Sequence, residues 1–226
     1  MGMVAGERVL AVLDNKDVLT AAPGARDMKI RGKIEFRHVG FHYSDGHPVL
    51  SDLNFKLNGG DTLAIVGHTG SGKSTIISLI NRLYQHQSGE ILVDDLPIEA
   101  FTINSLRAGT AVVLQDVFLF PGSVHDNVTL RDSSISRQEV VQAAKMIGIH
   151  AFIEQLPGGY DYDVMERGST LSMGQRQLLS FIRALLFNPA ILILDEATSS
   201  VDTQTEQLIQ QAISVLTKGR TSIIVA

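Results

Sequence analysis

Two kinds of hydrophobic pattern alternate along most of the chain. Residues that alternate one by one between polar and apolar, or short apolar runs between turn residues, are typical of β-strands; they occur at 34–39, 49–57, 62–66, 90–93, 111–114, 190–194 and 221–226. Apolar residues that recur at every third or fourth position are typical of amphipathic helices, and they occur at 74–83, 136–149, 174–187 and 203–216. This alternation of strands and helices predicts an α/β fold around a mostly parallel sheet.

The order of these elements divides the chain further. Residues 34–57 form strands without helices between them, which predicts an antiparallel β subdomain at the N-terminal side of the parallel core. At about residues 116–175 the pattern changes to helices and loops, which predicts an inserted α-helical subdomain. The first part of the chain is predicted as a short amphipathic helix over residues 3–19 and a linker at residues 21–25.

Composition narrows the class of protein. A chain of 226 residues can bury a sizeable core as one domain or as a domain with a subdomain. The formal net charge of −5 argues against a nucleic-acid-binding protein, which usually carries a basic surplus. The chain has no cysteine, which excludes disulfides and thiolate chemistry, and no apolar run long enough to span a bilayer.

The strongest chemical signal is a glycine-rich loop between a predicted strand and a predicted helix. It follows the phosphate-binding pattern G-x-x-x-x-G-K-[ST] and comprises Gly67, His68, Thr69, Gly70, Ser71, Gly72, Lys73, Ser74 and Thr75. Glycines let the backbone curl around a phosphate, and the N–H groups then converge at the positive end of the helix. We expect Lys73 to reach the β- and γ-phosphates of a nucleotide and the Ser74 hydroxyl to ligate Mg²⁺.

Two carboxylates follow the predicted buried strand at residues 191–194. Ligands of open α/β sheets bind at the carboxyl ends of the strands, so Asp195 and Glu196 are predicted to lie beside the nucleotide. Asp195 is placed to hold Mg²⁺ through a water molecule. Glu196 is placed to orient or deprotonate an attacking water, so with Lys73 it is a candidate catalytic residue.

A third stretch, Leu171-Ser172-Met173-Gly174-Gln175, opens the predicted helix at residues 174–187. Ser172 and the backbone amides after it could bind an anion at the start of that helix. The same residues could equally form a plain helix N-cap, and the pentapeptide alone does not decide between the two.

In this order, the three motifs resemble those of the ATP-binding cassette (ABC) proteins, over nearly the whole chain from about residue 33. The residues 156–161 (LPGGYD) and 165–168 (MERG) resemble the segment that precedes the signature in the exporter branch. Residues 5–14 resemble the stretch that joins an exporter's last membrane helix to its cassette. The resemblance implies an ABC nucleotide-binding domain at residues 33–226, and residues 1–32 that join it to a transmembrane domain.

The resemblance also implies roles for single residues. Tyr43 matches the aromatic residue that stacks on adenine, and Gln115 matches the glutamine that contacts Mg²⁺ and the attacking water. Asp202 matches the aspartate that contacts the opposing subunit. Ser172, Gly174 and Gln175 match the signature, which contacts the nucleotide of the partner. The apolar pair at residues 118 and 120 is either part of the core or part of a surface that receives the membrane domain.

Two departures from the family's pattern carry expectations of their own. Met173 stands where the family usually has a glycine close to the partner's nucleotide, so a slower half-site is expected. The sequence stops at Ala226, one residue before the position of a histidine that contacts the γ-phosphate in the family. We therefore expect this chain to bind ATP but to hydrolyse it poorly.

Together these residues predict an ATP hydrolase that drives export at the cytoplasmic face of a cell membrane. Two cassettes, either identical or different, would pack head to tail around two ATP molecules with Mg²⁺, and no nucleic acid is expected. Two alternatives stay open: an ABC ATPase outside export, such as an importer subunit, and an ATP-sensing dimerisation module with little turnover.

Overall fold

The computed structural model describes residues 6–7, 9–11, 14, 22–44, 46–195 and 203–225. Its strands are β1 (Ile34–His42), β2 (Pro48–Leu57), β3 (Thr62–Ile65), β4 (Ser88–Val93), β5 (Leu96–Pro97), β6 (Thr110–Val113), β7 (Ile191–Asp195) and β8 (Thr221–Val225). Its helices are α1 (Lys73–Ile80), α2 (Ile103–Ala108), α3 (Val124–Thr129), α4 (Arg137–Ile147), α5 (His150–Gln155), α6 (Met173–Phe187) and α7 (Thr203–Thr217).

The N-terminal strands form an antiparallel sheet in the order β2-β1-β4-β5. β1 lies at its centre and pairs with β2 on one side and β4 on the other, with register shifts along both ladders. A turn at Asp94 and Asp95 connects β4 to β5, and both residues have positive φ angles, of 50° and 67°. The predicted antiparallel β subdomain is thus confirmed.

The second sheet is parallel, in the order β3-β8-β7-β6. β7 pairs with β8 from Ile191↔Thr221 to Asp195↔Val225. On its other side it pairs with β6, from Ile191↔Thr110 to Leu194↔Val113. The carboxyl ends of these strands therefore meet at one edge of the sheet. The loop at residues 67–75 comes after β3, and Asp195 is the last residue of β7, so both lie at this edge.

One strand is less buried than its apolar sequence suggested. Residues 62–66 have the composition of a buried strand, but β3 lies at the edge of the parallel sheet and its side chains are half-buried or exposed. Val66, which follows it, is 76% exposed. Whether a strand lies at the edge or at the centre of a sheet depends on the strand order, which the hydrophobic pattern does not show.

Two hydrophobic cores lie on opposite faces of the parallel sheet. Leu192 and Leu194 of β7 face a core that β7 shares with helices α3, α4, α6 and α7. Ile191 and Ile193 face the other core, which also contains α1 and the inner side of the antiparallel sheet. Because successive strand residues point to opposite faces, a strand covered on both sides must be apolar throughout. This explains the unbroken run of aliphatic residues before Asp195.

Between residues 116 and 175, the described structure contains α3, α4 and α5 with 3-10 turns and the first residues of α6. The predicted apolar stripe of α4 is confirmed, since Val140, Ala144 and Ile147 are fully buried. The hydrophobic pattern did not identify α2, α3 and α5, each of which has only six residues. Helices this short show barely one period of the pattern.

Most of the predicted helix at residues 3–19 lies outside the described residues, although residues 6–7 and 9–11 are helical. Of the predicted linker at 21–25, residues 22–25 are described, and they contain a turn at 23–24 and no helix or strand. Within the part of the chain that the structure describes, no helix combines the length and apolar character that a membrane crossing requires.

Candidate functional site

The glycine-rich loop runs from the end of β3 into α1. The Ser71 N–H donates to the carbonyl of His68 at 3.1 Å, and Gly72 is the N-cap of α1, with φ 91° and ψ 8°. A β-carbon on Gly72 would lie 2.8 Å from Leu50 Cδ2 and 3.3 Å from the Val49 carbonyl oxygen. Only glycine combines this left-handed conformation with such close packing against β2. The loop is therefore shaped by its sequence and pressed against the antiparallel sheet.

Lys73 is the first residue of α1, and its ammonium group lies across the loop. Nζ donates to the carbonyl oxygen of Gly67, at the other end of the motif. An ammonium has three hydrogens, so this contact leaves two for phosphate oxygens. The lysine charge and the start of α1 both favour an anion at this place.

The loop lines a cavity of about 320 Å³. This cavity gathers most of the residues predicted to bind a nucleotide, and its lining comprises Tyr43, Val49, His68, Thr69, Gly70, Ser71, Gly72, Lys73, Ser74, Thr75, Gln115 and Asp195. Val49 was not among the predicted site residues, and His68 was predicted only as a variable position of the loop motif. Val49 is the second residue of β2, and nothing in the sequence shows that this strand passes beside the loop.

Tyr43 directly follows β1 and reaches the loop through its hydroxyl group. The hydroxyl shares a hydrogen bond of 3.0 Å with Oγ1 of Thr75, a buried residue in the first turn of α1. The ring of Tyr43 is half-buried, and it lines the same cavity as the loop. A flat ring at this position can stack on a base whose phosphates lie in the loop.

Gln115 and Asp195 enter the cavity from neighbouring strands. Asp195 ends β7, and Gln115 follows β6, which is paired with β7 in parallel. With the Ser74 hydroxyl they bring three oxygen groups to one cavity, a donor set that suits Mg²⁺. These residues therefore fit the predicted metal. Two other predicted residues, Glu196 and Asp202, lie outside the described residues.

Ser172, the second residue of the signature at residues 171–175, forms a complete capping box at the start of α6. Its hydroxyl oxygen accepts from the Gln175 N–H at 3.2 Å, and its own N–H donates to Gln175 Oε1 at 2.9 Å. The N-cap interpretation is thus correct for the geometry of Ser172. Its hydroxyl hydrogen is not used by this cap, so the geometry is also compatible with an anion ligand.

The signature and the phosphate loop do not share a cavity. Among the described residues, those lining the loop cavity include none of Ser172, Met173, Gly174 or Gln175. Within one chain, the structure therefore brings together the phosphate loop, Tyr43, Gln115 and Asp195, but not the signature.

The apolar pair after Gln115 lies at the surface. Phe118 and Phe120 are 51% and 53% exposed, and their rings contact each other edge to face, with centroids 5.0 Å apart. Of the two interpretations of this pair, the core placement is wrong, because the single residue between the two rings points inward and the rings themselves do not. Leu119 is fully buried.

Comparison with known proteins agrees with this geometry. Residues 50–199 match the sequence model of the family described as ABC transporter. An uncharacterized ABC transporter ATP-binding protein of Bacillus subtilis, YknV, is 46% identical over 227 residues, which cover 100% of this chain and 38% of that protein. A probable multidrug resistance ABC transporter ATP-binding/permease protein of the same organism, YheH, is 43% identical over 226 residues, covering 100% of this chain and 33% of that protein.

A putative multidrug export ATP-binding/permease protein of Staphylococcus aureus is 46% identical over 220 residues, which cover 96% of this chain and 38% of that protein. Among solved structures, a bacterial Atm1-family ABC exporter with ATP bound superposes with a TM-score of 0.90 at 38% identity, covering 100% of this chain and 40% of that one. The chain thus spans about two fifths or less of the length of these relatives.

Proposed function

This chain belongs to the ABC transporter family, and from that membership and the loop cavity we propose that it is the ATP-binding and ATP-hydrolysing domain of an ABC exporter. The observation that carries the proposal is the convergence of Tyr43, the phosphate loop, Gln115 and Asp195 on one cavity. The names of the relatives, among them a probable multidrug resistance ABC transporter and a putative multidrug export protein, support export over import.

The base and the phosphates of ATP would bind at opposite ends of this cavity. Tyr43 would stack on adenine, and the backbone N–H groups of the loop would surround the phosphates. Lys73 would donate to β- and γ-phosphate oxygens and offset their negative charge. Ser74, Gln115 and, through a water molecule, Asp195 would hold Mg²⁺, which neutralises phosphate charge when it is bound.

Hydrolysis requires a water molecule in line with the γ-phosphate. We assign Glu196 to accept a proton from that water, and Gln115 to orient it. The water oxygen then bonds to the γ-phosphorus as the bond to the bridging oxygen breaks, which yields ADP and inorganic phosphate. Lys73 stabilises the charge that develops on the phosphate oxygens.

A second copy of the cassette, identical or different, would complete each site. The signature residues Ser172, Gly174 and Gln175 do not line the loop cavity of their own chain, although Ser172 has a hydroxyl hydrogen to donate. Placed over the γ-phosphate in a partner, the start of α6 would add donors where the charge is greatest. Asp202 would contact the opposing subunit.

The transmembrane domain would supply the transport pathway at whose cytoplasmic face this domain acts. Phe118 and Phe120 support a contact with it, because two exposed aromatic rings lie just after Gln115, which lines the ATP cavity. Dimer closure around ATP would thereby be transmitted to the membrane domain. Residues 1–32 would connect the two domains.

The proposal is tested by light scattering after size-exclusion chromatography of the Glu196→Gln variant, which retains the side-chain shape but cannot take the proton. We expect a monomer without nucleotide and a dimer with MgATP. Glu196→Gln combined with Lys73→Ala is the control, and it should stay monomeric because phosphate binding is lost. A Glu196→Gln protein that binds MgATP yet remains a monomer would contradict the shared site.

An ATP-sensing module with little turnover is the second candidate function, and Met173 favours it. The half-buried Met173 side chain lies at the first turn of α6, next to Ser172. Steady phosphate release by the unmodified chain, at a rate that Glu196→Gln abolishes, would exclude this candidate.

A further inference from the structure

Tyr43 is the centre of a small aromatic cluster. Its ring meets that of Phe41 edge to face, with centroids 4.8 Å apart and planes at 90°. It meets the ring of Tyr84 in the same way, at 5.2 Å and 87°, and Phe41 and Tyr84 are themselves 5.7 Å apart. Edge-to-face contacts of this kind have a preferred geometry and resist rotation of the rings.

The three rings come from different environments. Phe41 is buried in the core beneath the antiparallel sheet, and Tyr43 packs at the edge of that core. Tyr84 belongs to the loop after α1 and is 47% exposed. It therefore adds little to the core, and its ring contacts with Phe41 and Tyr43 are the notable feature of its position.

A separate set of hydrogen bonds holds the Tyr84 loop in place. The side-chain amide of Gln87 pairs with both backbone groups of His42: the His42 N–H donates to Oε1 at 3.0 Å, and Nε2 donates to the His42 carbonyl at 3.1 Å. The Gln87 N–H also donates to the carbonyl of Gly40 at 3.1 Å. The loop is thus fastened to the end of β1, next to Tyr43.

Tyr43 is consequently held at both ends. Thr75 binds its hydroxyl group, and Phe41 and Tyr84 contact its ring. A side chain that is already ordered loses less conformational freedom on binding than a mobile one, and this improves affinity without any new contact to the ligand.

We propose that Tyr84 is a positioning residue for the nucleotide base: with its loop clamped by Gln87, it fixes the orientation in which Tyr43 receives adenine. This inference rests on the proposed function, because it assumes that the loop cavity binds ATP. It assigns to Tyr84 an effect on the base alone, since the phosphates are bound by the loop at residues 67–75.

The test compares a ligand that has a base with one that does not. Affinities for MgATP and for inorganic tripolyphosphate with Mg²⁺ are measured by calorimetry on the wild type, Tyr84→Ala, Tyr84→Phe and Leu83→Ala. Tyr84→Ala should weaken MgATP binding by roughly three- to tenfold, as expected for the loss of aromatic contacts, and leave tripolyphosphate binding unchanged. Tyr84→Phe keeps the ring and should restore MgATP affinity. Leu83→Ala, at a neighbouring position that is 53% exposed, should match the wild type.

Other outcomes overturn the inference. Equal loss of affinity for both ligands would mean that Tyr84 supports the fold of the whole site, and wild-type affinity in Tyr84→Ala would mean that it does not act on Tyr43. If Tyr84→Ala does not fold, Gln87→Leu releases the same loop and must show the same selective loss. A wild-type chain that binds neither ligand would refute the proposed function itself, which is a distinguishable result.

Discussion

At the scale of single residues, the phosphate loop depends on a few backbone positions. Gly72 is the most constrained of them, because its left-handed conformation coincides with a close approach to Leu50. Gly60 has nearly the same φ angle, of 89°, but a β-carbon there would meet no atom within 4 Å. The two glycines therefore separate the cost of the backbone conformation from the cost of crowding.

We expect Gly60→Ala to lower the free energy of unfolding by about 1–2 kcal/mol, the usual cost of a left-handed non-glycine residue. Gly72→Ala should lower it further and abolish ATP binding, because the methyl group displaces Leu50 or the loop. Urea unfolding and ATP titration measure the two effects. If Gly60→Ala and Gly72→Ala have the same unfolding free energy and the same affinity for ATP, the contact with Leu50 is unimportant.

Met173 carries a second prediction at this scale. If its side chain hinders the approach of the partner's nucleotide, Met173→Gly should raise the rate of ATP hydrolysis several-fold and strengthen dimerisation with MgATP. Met173→Leu, of similar size, should behave like the wild type. Phosphate release at saturating ATP is the measurement, and an unchanged rate in Met173→Gly would show that the methionine does not limit turnover.

At the scale of elements, two helices begin with the same local structure but with different expected roles. Ser136 caps α4 and Ser172 caps α6, each in a complete capping box with the residue three positions later. The first is an ordinary helix start, whereas the second belongs to the signature. The matched geometry allows the structural and functional parts of Ser172 to be separated.

Ser136→Ala and Ser172→Ala should each cost about 1 kcal/mol of stability, the typical value for a lost N-cap. Only Ser172→Ala should also weaken the MgATP-dependent dimer of the Glu196→Gln protein. Thermal unfolding and light scattering provide the two readouts. Should both variants dimerise alike, Ser172 would be a helix cap and nothing more.

A further prediction concerns Tyr160, which lies in the turn after α5 and contacts the first residues of both α5 and α4. The Tyr160 hydroxyl is hydrogen-bonded to Nδ1 of His150 at 2.8 Å, and the Arg137 guanidinium lies 4.9 Å from the ring centroid. Burial, with the nearby charge of Glu154, raises the pKa of Tyr160 from 10.0 to about 12.

Because the folded protein keeps this phenol protonated at a pH where the unfolded chain loses the proton, its contribution to stability is complete below pH 10 and declines between pH 10 and about 12. Tyr160→Phe cannot ionise, so its unfolding free energy should fall less steeply over that range. Urea unfolding at pH 9, 10.5 and 11.5 tests this, and parallel curves for the two proteins would contradict it.

At the scale of the whole molecule, β7 joins the two hydrophobic cores, since its alternate residues face opposite sides. We expect Leu194→Ala and Ile193→Ala each to cost about 2–5 kcal/mol, because both side chains are fully buried. Either variant should accelerate hydrogen exchange in both cores, in α4 as well as in β1. Faster hydrogen exchange in only the core that contains the substituted side chain would show that the two cores unfold independently.

The elements that sequence pattern predicted well are those with several periods of that pattern. The central strands, α4, α6 and α7 were expected within a few residues of their observed bounds, since burial on one or both faces imposes a repeat along the chain. The six-residue helices α2, α3 and α5 were not predicted, because each contains too little of the helical repeat. The position of β3 at the edge of the sheet was not predicted either, because it depends on which strands are neighbours in the sheet.

The sequence by itself predicted the chemistry of the site: residue type and spacing indicate phosphate binding by the loop at residues 67–75 and metal binding by Asp195, because these tasks require particular groups. The role predicted for Ser172 depends in addition on the resemblance to the family. Only the tertiary structure decided how distant segments meet. It brought Tyr43 to Thr75, Val49 to Gly72, and Gln87 to His42, and it placed the signature outside the loop cavity. Such contacts depend on strand order and on the packing of two sheets, which no local pattern records.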